Sequence, residues 1–449
     1  MEYAVKDVLY LEELHGALAR LLDKRGVRDR YDAIRATLPT FLEAAAHGVP
    51  VDHQRLEELS TSALTERDQL REALDAMAPE HPEGGTWTWN TSKNTGAEGP
   101  GRNGALEVAG VKLDNLQDQT LLDRRDEHPL VAALQDYRKK AQEYSKYRKW
   151  IPEFYEDGRI YPQPKVAGAV TSRLLYSDPN IQGVEKHKTK EYRKVISPGA
   201  GMSIVTGDFA QQELRIAALI SGDEEMLRTF ANGEDIYLKT ASKMVGYRIT
   251  DKGHPARAGA KRATLGFLYG LGIDKYRENT YKDYGIALSR EQANKDREAF
   301  RAAFPRFYAW QQEYGARADR ETHSVLGWRR VVGLGKDKNG NPVPKYTDRL
   351  NGPIQSTAGD ILYLALAKMQ EDWAAGMHPH AKFLMGVHDE IVLESPEESA
   401  KDAALWLKEK MREAFEEVLG PELGGHRSVD VGYGPSWGEQ TELLEEEEE

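Results

Sequence analysis

The sequence has no cysteine in its 449 residues. That excludes disulfides, thiolate zinc sites, iron–sulfur clusters and a cysteine nucleophile. Long apolar runs are also missing: no stretch approaches the ~18 consecutive apolar residues that a spanning helix requires. With 30% charged residues and a mean hydropathy of −0.66, an integral membrane protein is excluded. The opening MEYAVKDVLY carries Glu2, Lys6 and Asp7 where a signal peptide needs an apolar core, so a cytoplasmic location is expected. Hydrophobic residues make up 40%, enough for real cores. The length implies two to four lobes at roughly 150 residues each.

Excess positive charge is lacking too. The net charge is −12, and still −7 without the five closing glutamates, Glu445 to Glu449. Taken whole, this disfavours a polyanionic partner, but fields act locally. Residues 137–149 hold six Lys/Arg against one Glu, interleaved with Tyr137, Tyr144 and Tyr147. Residues 186–194 hold five against one, and residues 239–275 hold eight against two. A single run of this kind is usually a solvated face. Three of them in an acidic chain predict a basic groove on a negative body.

Leucine and alanine spacing predicts helices over residues 8–80, with a stop at Gly26. Glycine-rich residues 82–115 read as loop or weak strand, and helical pattern returns at 128–150. SIVTGD (203–208) is strand-like and the following QQELRIAALI helix-like. Residues 223–322 read as mostly helical, and 325–348 as a hairpin turning at Asn339-Gly340. A long helix is expected near 354–375, then two short apolar runs around His388-Asp389, a helix near 398–418 and a strand at VDVGYG. There is no internal repeat. The expected class is α+β, helix-rich, with a small sheet assembled from distant segments.

In a strand over 203–208, Ile204, Thr206 and Asp208 share a face and the carboxylate emerges at the strand end. Asp389 falls in a tight hairpin carrying His388, Asp389 and Glu390 at or near its tip. An aspartate at a strand end is commonly a turn or cap; two converging from distant segments repel unless cations lie between them. Hard oxygen ligands beside a phosphate substrate select Mg²⁺. Residues 257–270, RAGAKRATLGFLYG, place Arg257, Lys261, Leu265 and Tyr269 at steps of four, a slanting stripe along one helix. Two cations near a helix N-terminus, followed by an apolar and an aromatic side chain, suit a nucleoside triphosphate. The plainer alternative is a solvated amphipathic helix, in which Gly259 and Gly266 carry a propensity cost without an evident return.

Together these segments resemble the polymerase domain of family A DNA polymerases, the bacterial DNA polymerase I family. DFAQQELR (208–215) resembles its first acidic motif, strand then helix; Arg257, Lys261 and Tyr269-Gly270 its nucleotide-binding helix; and VHDE (387–390) its second acidic motif. TSRLLYSDPNIQ (171–182) is similar to a primer–template segment, and NGPIQSTAGD (351–360) to a helix that contacts the duplex minor groove. The ordered set covers roughly residues 140–440. The resemblance implies a right-hand architecture, with thumb over 21–160, palm over 161–215 and 345–440, fingers over 216–344 and an acidic tail at 441–449. It implies that Asp208, Asp389 and the Phe209 carbonyl hold two Mg²⁺ ions, with Glu390 a neighbouring carboxylate of lesser role. Arg257 and Lys261 would grip the triphosphate, Lys261 also donating a proton to pyrophosphate, with Gln212, Tyr237, Leu265 and Tyr269 around the nucleotide. Glu213 would fill the space of a ribose 2′-OH and so select dNTPs. Arg173, Asn180, Gln182, Asn351, Gln355 and His388 would touch primer and template.

The sequence departs from the family pattern at Leu265, where an aromatic residue is usual, at Tyr237 (DIY for DIH), and at Thr347, where an arginine often precedes the palm asparagine. Arg349 lies two residues nearer and is not assigned that contact. Tyr3 and Asp7 resemble the last element of a 3′–5′ exonuclease, making residues 1–20 an expected remnant of such a domain, with no proofreading activity. The partners implied are primer–template DNA and dNTPs, with no membrane and a monomeric state. Two alternatives stand: a single-subunit phage-type RNA polymerase, disfavoured by Glu213, and a catalytically silent DNA-binding relative, disfavoured by the intact carboxylates and Lys261.

Overall fold

The computed structural model describes residues 8–443 apart from 83, 90–101, 114, 117, 151–156, 185–189, 338 and 426. Tyr3, Asp7, residues 444–449 of the expected tail and much of the 186–194 basic run therefore lie outside the described residues, whereas 441 and 442 belong to a strand rather than to a tail. Helices of eight or more residues are numbered in chain order. They begin with α1 (Leu11–Lys24), α2 (Arg28–Ala36), α3 (Leu38–His47) and α4 (His53–Met77). Asp52 caps α4 by accepting from the Arg55 amide at 2.9 Å, satisfying a donor that the first turn leaves open. Next come α5 (Pro129–Trp150), α6 (Gln212–Ser221), α7 (Glu224–Ala231), α8 (Ile236–Val245) and α9 (Ala256–Phe267). The series ends with α10 (Ile273–Tyr284), α11 (Arg290–Ala303), α12 (Pro305–Gly315), α13 (Tyr346–Ala374) and α14 (Ala400–Leu419).

The main sheet has strands β1 (Met202–Phe209), β2 (Lys382–Val387), β3 (Glu390–Pro396), β4 (Val429–Ser436) and β5 (Glu439–Glu442). Their spatial order is β2-β3-β1-β4-β5, with every neighbouring pair antiparallel. β1 is thus central and hydrogen-bonded on both edges, which its apolar run tolerates because both faces are covered. Gly207 explains one face: a Cβ there would lie 2.5 Å from the Met411 sulfur and 2.9 Å from Leu407, so α14 packs directly on the β1 backbone. Alternation then turns Asp208 to the opposite face. α4 lies along α5, and their far ends join Trp87, Trp89, Leu106, Leu121 and Leu130 in a second, smaller core. Among the described residues, no helix is long and apolar enough to cross a membrane.

Several expectations need correction. Residues 82–115 are not all loop, because Arg102–Val108 is helical and buries Ala105 and Leu106. α13 begins at Tyr346 and carries Pro353 in its interior; Gly352 fits there because a Cβ would meet the Thr322 hydroxyl at 2.1 Å. Packing thus overrides the breaker signals that pushed the expected start to 354. The 325–348 segment contains the expected hairpin, Leu334–Lys336 with Pro342–Pro344, but its first part, Arg329–Val331, pairs instead with Glu321–His323 upstream. Gly340 turns the expected hairpin at φ +83°. β5 follows the expected VDVGYG strand and has no apolar signature of its own.

Candidate active site

The two distant aspartates meet at the open end of β1. β2 and β3 are joined by His388-Asp389, with His388 at φ +61°, and the Phe209 amide donates to the Asp389 carbonyl at 3.0 Å. In an antiparallel strand the N–H and C=O of one residue face the same neighbour, so the Phe209 carbonyl is turned toward the Asp389 hairpin. The next amide, Ala210, faces the other way and donates to Ser428 O at 2.8 Å. Asp208 is directly opposite Glu390 on β3 and Asp430 on β4, which puts three acidic side chains on one sheet face. Glu390 is neutralised internally: buried, it accepts from Arg193 at 2.9 Å and from the Trp437 indole at 2.8 Å. The Arg193 cation itself lies 3.8 Å above the Trp437 ring. Glu390 is thus committed to partners within the fold.

α9 presents the expected stripe. Ala260, Ala263, Thr264 and Phe267 are buried, while Arg257, Lys261 and Leu265 are half-buried. The helix ends at Phe267 rather than 270, and Tyr269 sits in the turn that Gly270 closes at φ +68°. Gly266 has a packing reason that the sequence reading missed, since a Cβ would stand 2.6 Å from the Tyr276 ring of α10. Arg257 donates through Nε to Asp235 at 2.7 Å, with Nη2 2.6 Å from the same oxygen. Asp235 also caps α8 through the Tyr237 amide at 2.9 Å. The Arg257 guanidinium and Lys261 ammonium lie 5.5 Å and 5.8 Å from the Tyr237 ring centre. Tyr237 is therefore a buried platform beneath both cations.

Between stripe and sheet, Arg173 donates to Glu213 at 2.7 Å. Burial pushes the Tyr269 hydroxyl well above its ordinary pKa, with the nearby Glu213 charge adding to this and Arg173 opposing it. Solvent reaches His388, yet partial enclosure and the Arg173 cation lower its pKa, against Glu213 and Asp208. These mutual influences gather Arg173, Glu213, Tyr269, His388 and Asp208 into one locale. Asn351 and Gln355 are half-buried while every other residue of 349–363 is buried, so they form the polar edge that α13 opens. Asn351 accepts from Arg330 at 3.2 Å. Three candidates are engaged elsewhere. Gln212 is 1% exposed with its amide 3.4 Å from Ala358 O. Asn180 caps the Gln182 amide at 3.0 Å, and the Gln182 side chain donates to Leu174 O and Gly386 O at 3.0 and 3.2 Å.

Several cations of the basic runs are paired within the fold. Lys140 pairs with Glu66 and Glu143, Arg138 with Asp118, Lys194 with Glu191 and Glu439, and Lys239 with Glu225 and Glu234. Tyr147 is buried, edge-on to Tyr192 at 4.7 Å, and Tyr144 lies under Arg67. Sequence reasoning also passed over Asp235, Arg193 and Arg330, each a partner of a chosen residue. Only Asp235 left a signal, as an acidic N-cap before an apolar helix.

The candidate site thus combines carboxylates at the end of a central antiparallel strand with a helix carrying two cations over an aromatic ring. The DNA polymerase family A model matches residues 108–439, so the chain belongs to that family. DNA polymerase I of Chloroflexus aurantiacus is 26% identical over 98% of this chain and 46% of its own length. DNA polymerase I of Aquifex aeolicus is 30% identical over 67% of this chain and 50% of its own. Thermostable DNA polymerase I of Thermus aquaticus is 30% identical over 70% and 37%. The chain thus spans about half the length, or less, of the curated relatives it matches. A solved structure described as the POL domain of Pol1 from M. smegmatis, in complex with DNA primer-template and dNTP, superposes with a TM-score of 0.76 at 23% identity. It covers 95% of this chain and 74% of that one. The fold is the α+β polymerase-domain fold.

Proposed function

We propose that this chain is a template-directed DNA polymerase that adds dNTPs to a primer 3′-OH. The observation that carries the reading is the Asp389 carbonyl bonded to the Phe209 amide, which joins two aspartates from distant segments at one strand end. In this reading thumb, palm and fingers follow the ranges 21–160, 161–215 with 345–440, and 216–344. The donor set fits divalent magnesium: two carboxylates and a carbonyl turned to the same side are hard oxygens, and Glu390 is already committed to Arg193. Two Mg²⁺ ions held by Asp208, Asp389 and the Phe209 carbonyl would, when bound, supply the positive charge that activates the primer hydroxyl and steadies the triphosphate.

The chain's own residues account for the rest. Arg257, oriented by Asp235, and Lys261 neutralise the triphosphate, and Lys261 gives its proton to the departing pyrophosphate. Glu213, held by Arg173, occupies the space a 2′-OH needs, which also disfavours ribonucleotide synthesis. Asn351 and Gln355 offer donors to minor-groove acceptors that every correct pair presents alike. Movement of α9 onto the nascent pair converts pair shape into specificity. Extension of a labelled primer on DNA and RNA templates, with dNTPs or rNTPs and with Mg²⁺ or chelator, tests the reading. Metal-dependent, template-ordered dNTP addition is expected; a primer left unextended with Mg²⁺ and dNTPs refutes it.

A further inference from the structure

Behind the carboxylates, α6 carries a buried arginine that the mechanism above does not use. Arg215 is 4% exposed, and its three donor nitrogens all meet neutral backbone oxygens. Nε donates to Ala210 O at 2.9 Å, Nη1 to Leu423 O at 2.6 Å and Nη2 to Arg427 O at 2.8 Å. Its face lies 4.7 Å from the Phe230 ring centre. Burial pulls its pKa down to about 10, with Asp430 opposing, which still leaves it charged at neutral pH. Burying a cation whose hydrogen-bond partners are all neutral carbonyls is costly, and a merely structural tie has cheaper solutions.

The acceptors come from two segments far apart in the chain: the turn after β1, and the short helix Pro421–Gly424 with the loop that follows it before β4. Ser428 reinforces that loop, its hydroxyl donating to Gly425 O at 2.7 Å and to Gly424 O. The Phe209 carbonyl and the Ala210 N–H belong to one rigid peptide plane, whose N–H end is fixed on Ser428 O at 2.8 Å. Arg215 therefore fixes the following peptide through Ala210 O and, through Leu423 O and Arg427 O, steadies the segment whose Ser428 O holds the Ala210 N–H end of the plane that aims the Phe209 carbonyl.

We propose that Arg215 is a positioning residue that orients the Phe209 carbonyl, and through it the divalent-ion site, by clamping Ala210 to the loop before β4. The proposal rests on the polymerase reading for the role of that carbonyl. The test compares the full chain with Arg215→Lys, which keeps the charge but cannot span all three acceptors, and Arg215→Met, which keeps only bulk. Mn²⁺ binding is followed by electron paramagnetic resonance, primer–template affinity by fluorescence anisotropy, and folding by circular dichroism. In Arg215→Lys the Mn²⁺ dissociation constant should rise at least fivefold, and half-saturating Mg²⁺ for extension should rise in step. Primer–template affinity should stay within twofold and the fold intact, with Arg215→Met showing the larger effect. A folded Arg215→Lys protein with unchanged Mn²⁺ affinity overturns the proposal. So does an Arg215→Lys chain that does not fold, since the residue is then purely structural. Failure of the unsubstituted chain to extend primers sinks the polymerase reading instead, and the two failures are distinct.

Discussion

Replacing Asp208 by asparagine exchanges one carboxylate oxygen for an amide at nearly constant volume, so packing against the sheet is preserved. The register places Asp208 directly across from Glu390 and Asp430, and like charges directly opposite on a sheet cost roughly 0.2–1 kcal/mol per pair. Arg193 already neutralises Glu390 and the Arg215 cation acts on Asp430, so the substitution should change the stability of the metal-free fold by no more than about 0.5 kcal/mol. The expected loss in catalysis is much larger: removing one of two anionic metal ligands should cost at least about 4 kcal/mol of transition-state stabilisation, or a thousandfold in rate. Thermal unfolding in chelator should therefore show Asp208→Asn close to the parent. In millimolar Mg²⁺ the parent alone should gain stability, because only its site binds the ion well. Single-turnover extension should fall a thousandfold, with primer–template affinity within a few fold. A variant that extends within tenfold of the parent refutes the catalytic assignment. One that unfolds more easily in chelator and loses DNA binding together with extension makes Asp208 structural.

Glu213→Ala opens the space the Arg173-held carboxylate fills, and should raise the rNTP/dNTP incorporation ratio at least tenfold; an unchanged ratio in competition assays removes Glu213 as the gate. Glu394, 1% exposed, accepts from Arg159 Nη2 on both carboxylate oxygens, at 2.9 and 2.8 Å, and faces His47 at 2.6 Å. Burial alone would raise its carboxyl pKa, but the His47 and Arg159 bonds overcome that and lower it. Its contribution is then present above the unfolded glutamate value near ~4.3 and lost as pH falls through the lowered folded value. Glu394→Gln should cost about 2–3 kcal/mol at pH 7, and the gap to the parent should close in acid; urea titrations showing a pH-independent gap would contradict the assignment.

What sequence alone carried was local periodicity and local chemistry. SIVTGD could be assigned as a strand ending in an aspartate because alternation is a property of consecutive residues, and Arg257, Lys261 and Leu265 as one helical stripe because steps of four are too. Where the signals conflicted, as at Gly352-Pro353 and Gly266, propensity pointed one way and a close packing partner from elsewhere decided the other. Tertiary structure alone determined which charges are spent. The basic runs look available in a linear chain, yet Lys140, Lys194 and Lys239 find carboxylates there, and Glu390 is silenced by an arginine nearly two hundred positions earlier. The grip of Arg215 on three carbonyls is likewise invisible in sequence, because backbone acceptors carry no residue identity. Side-chain type fixes what a group can do; only the folded distance to its partner decides whether it is left to do it.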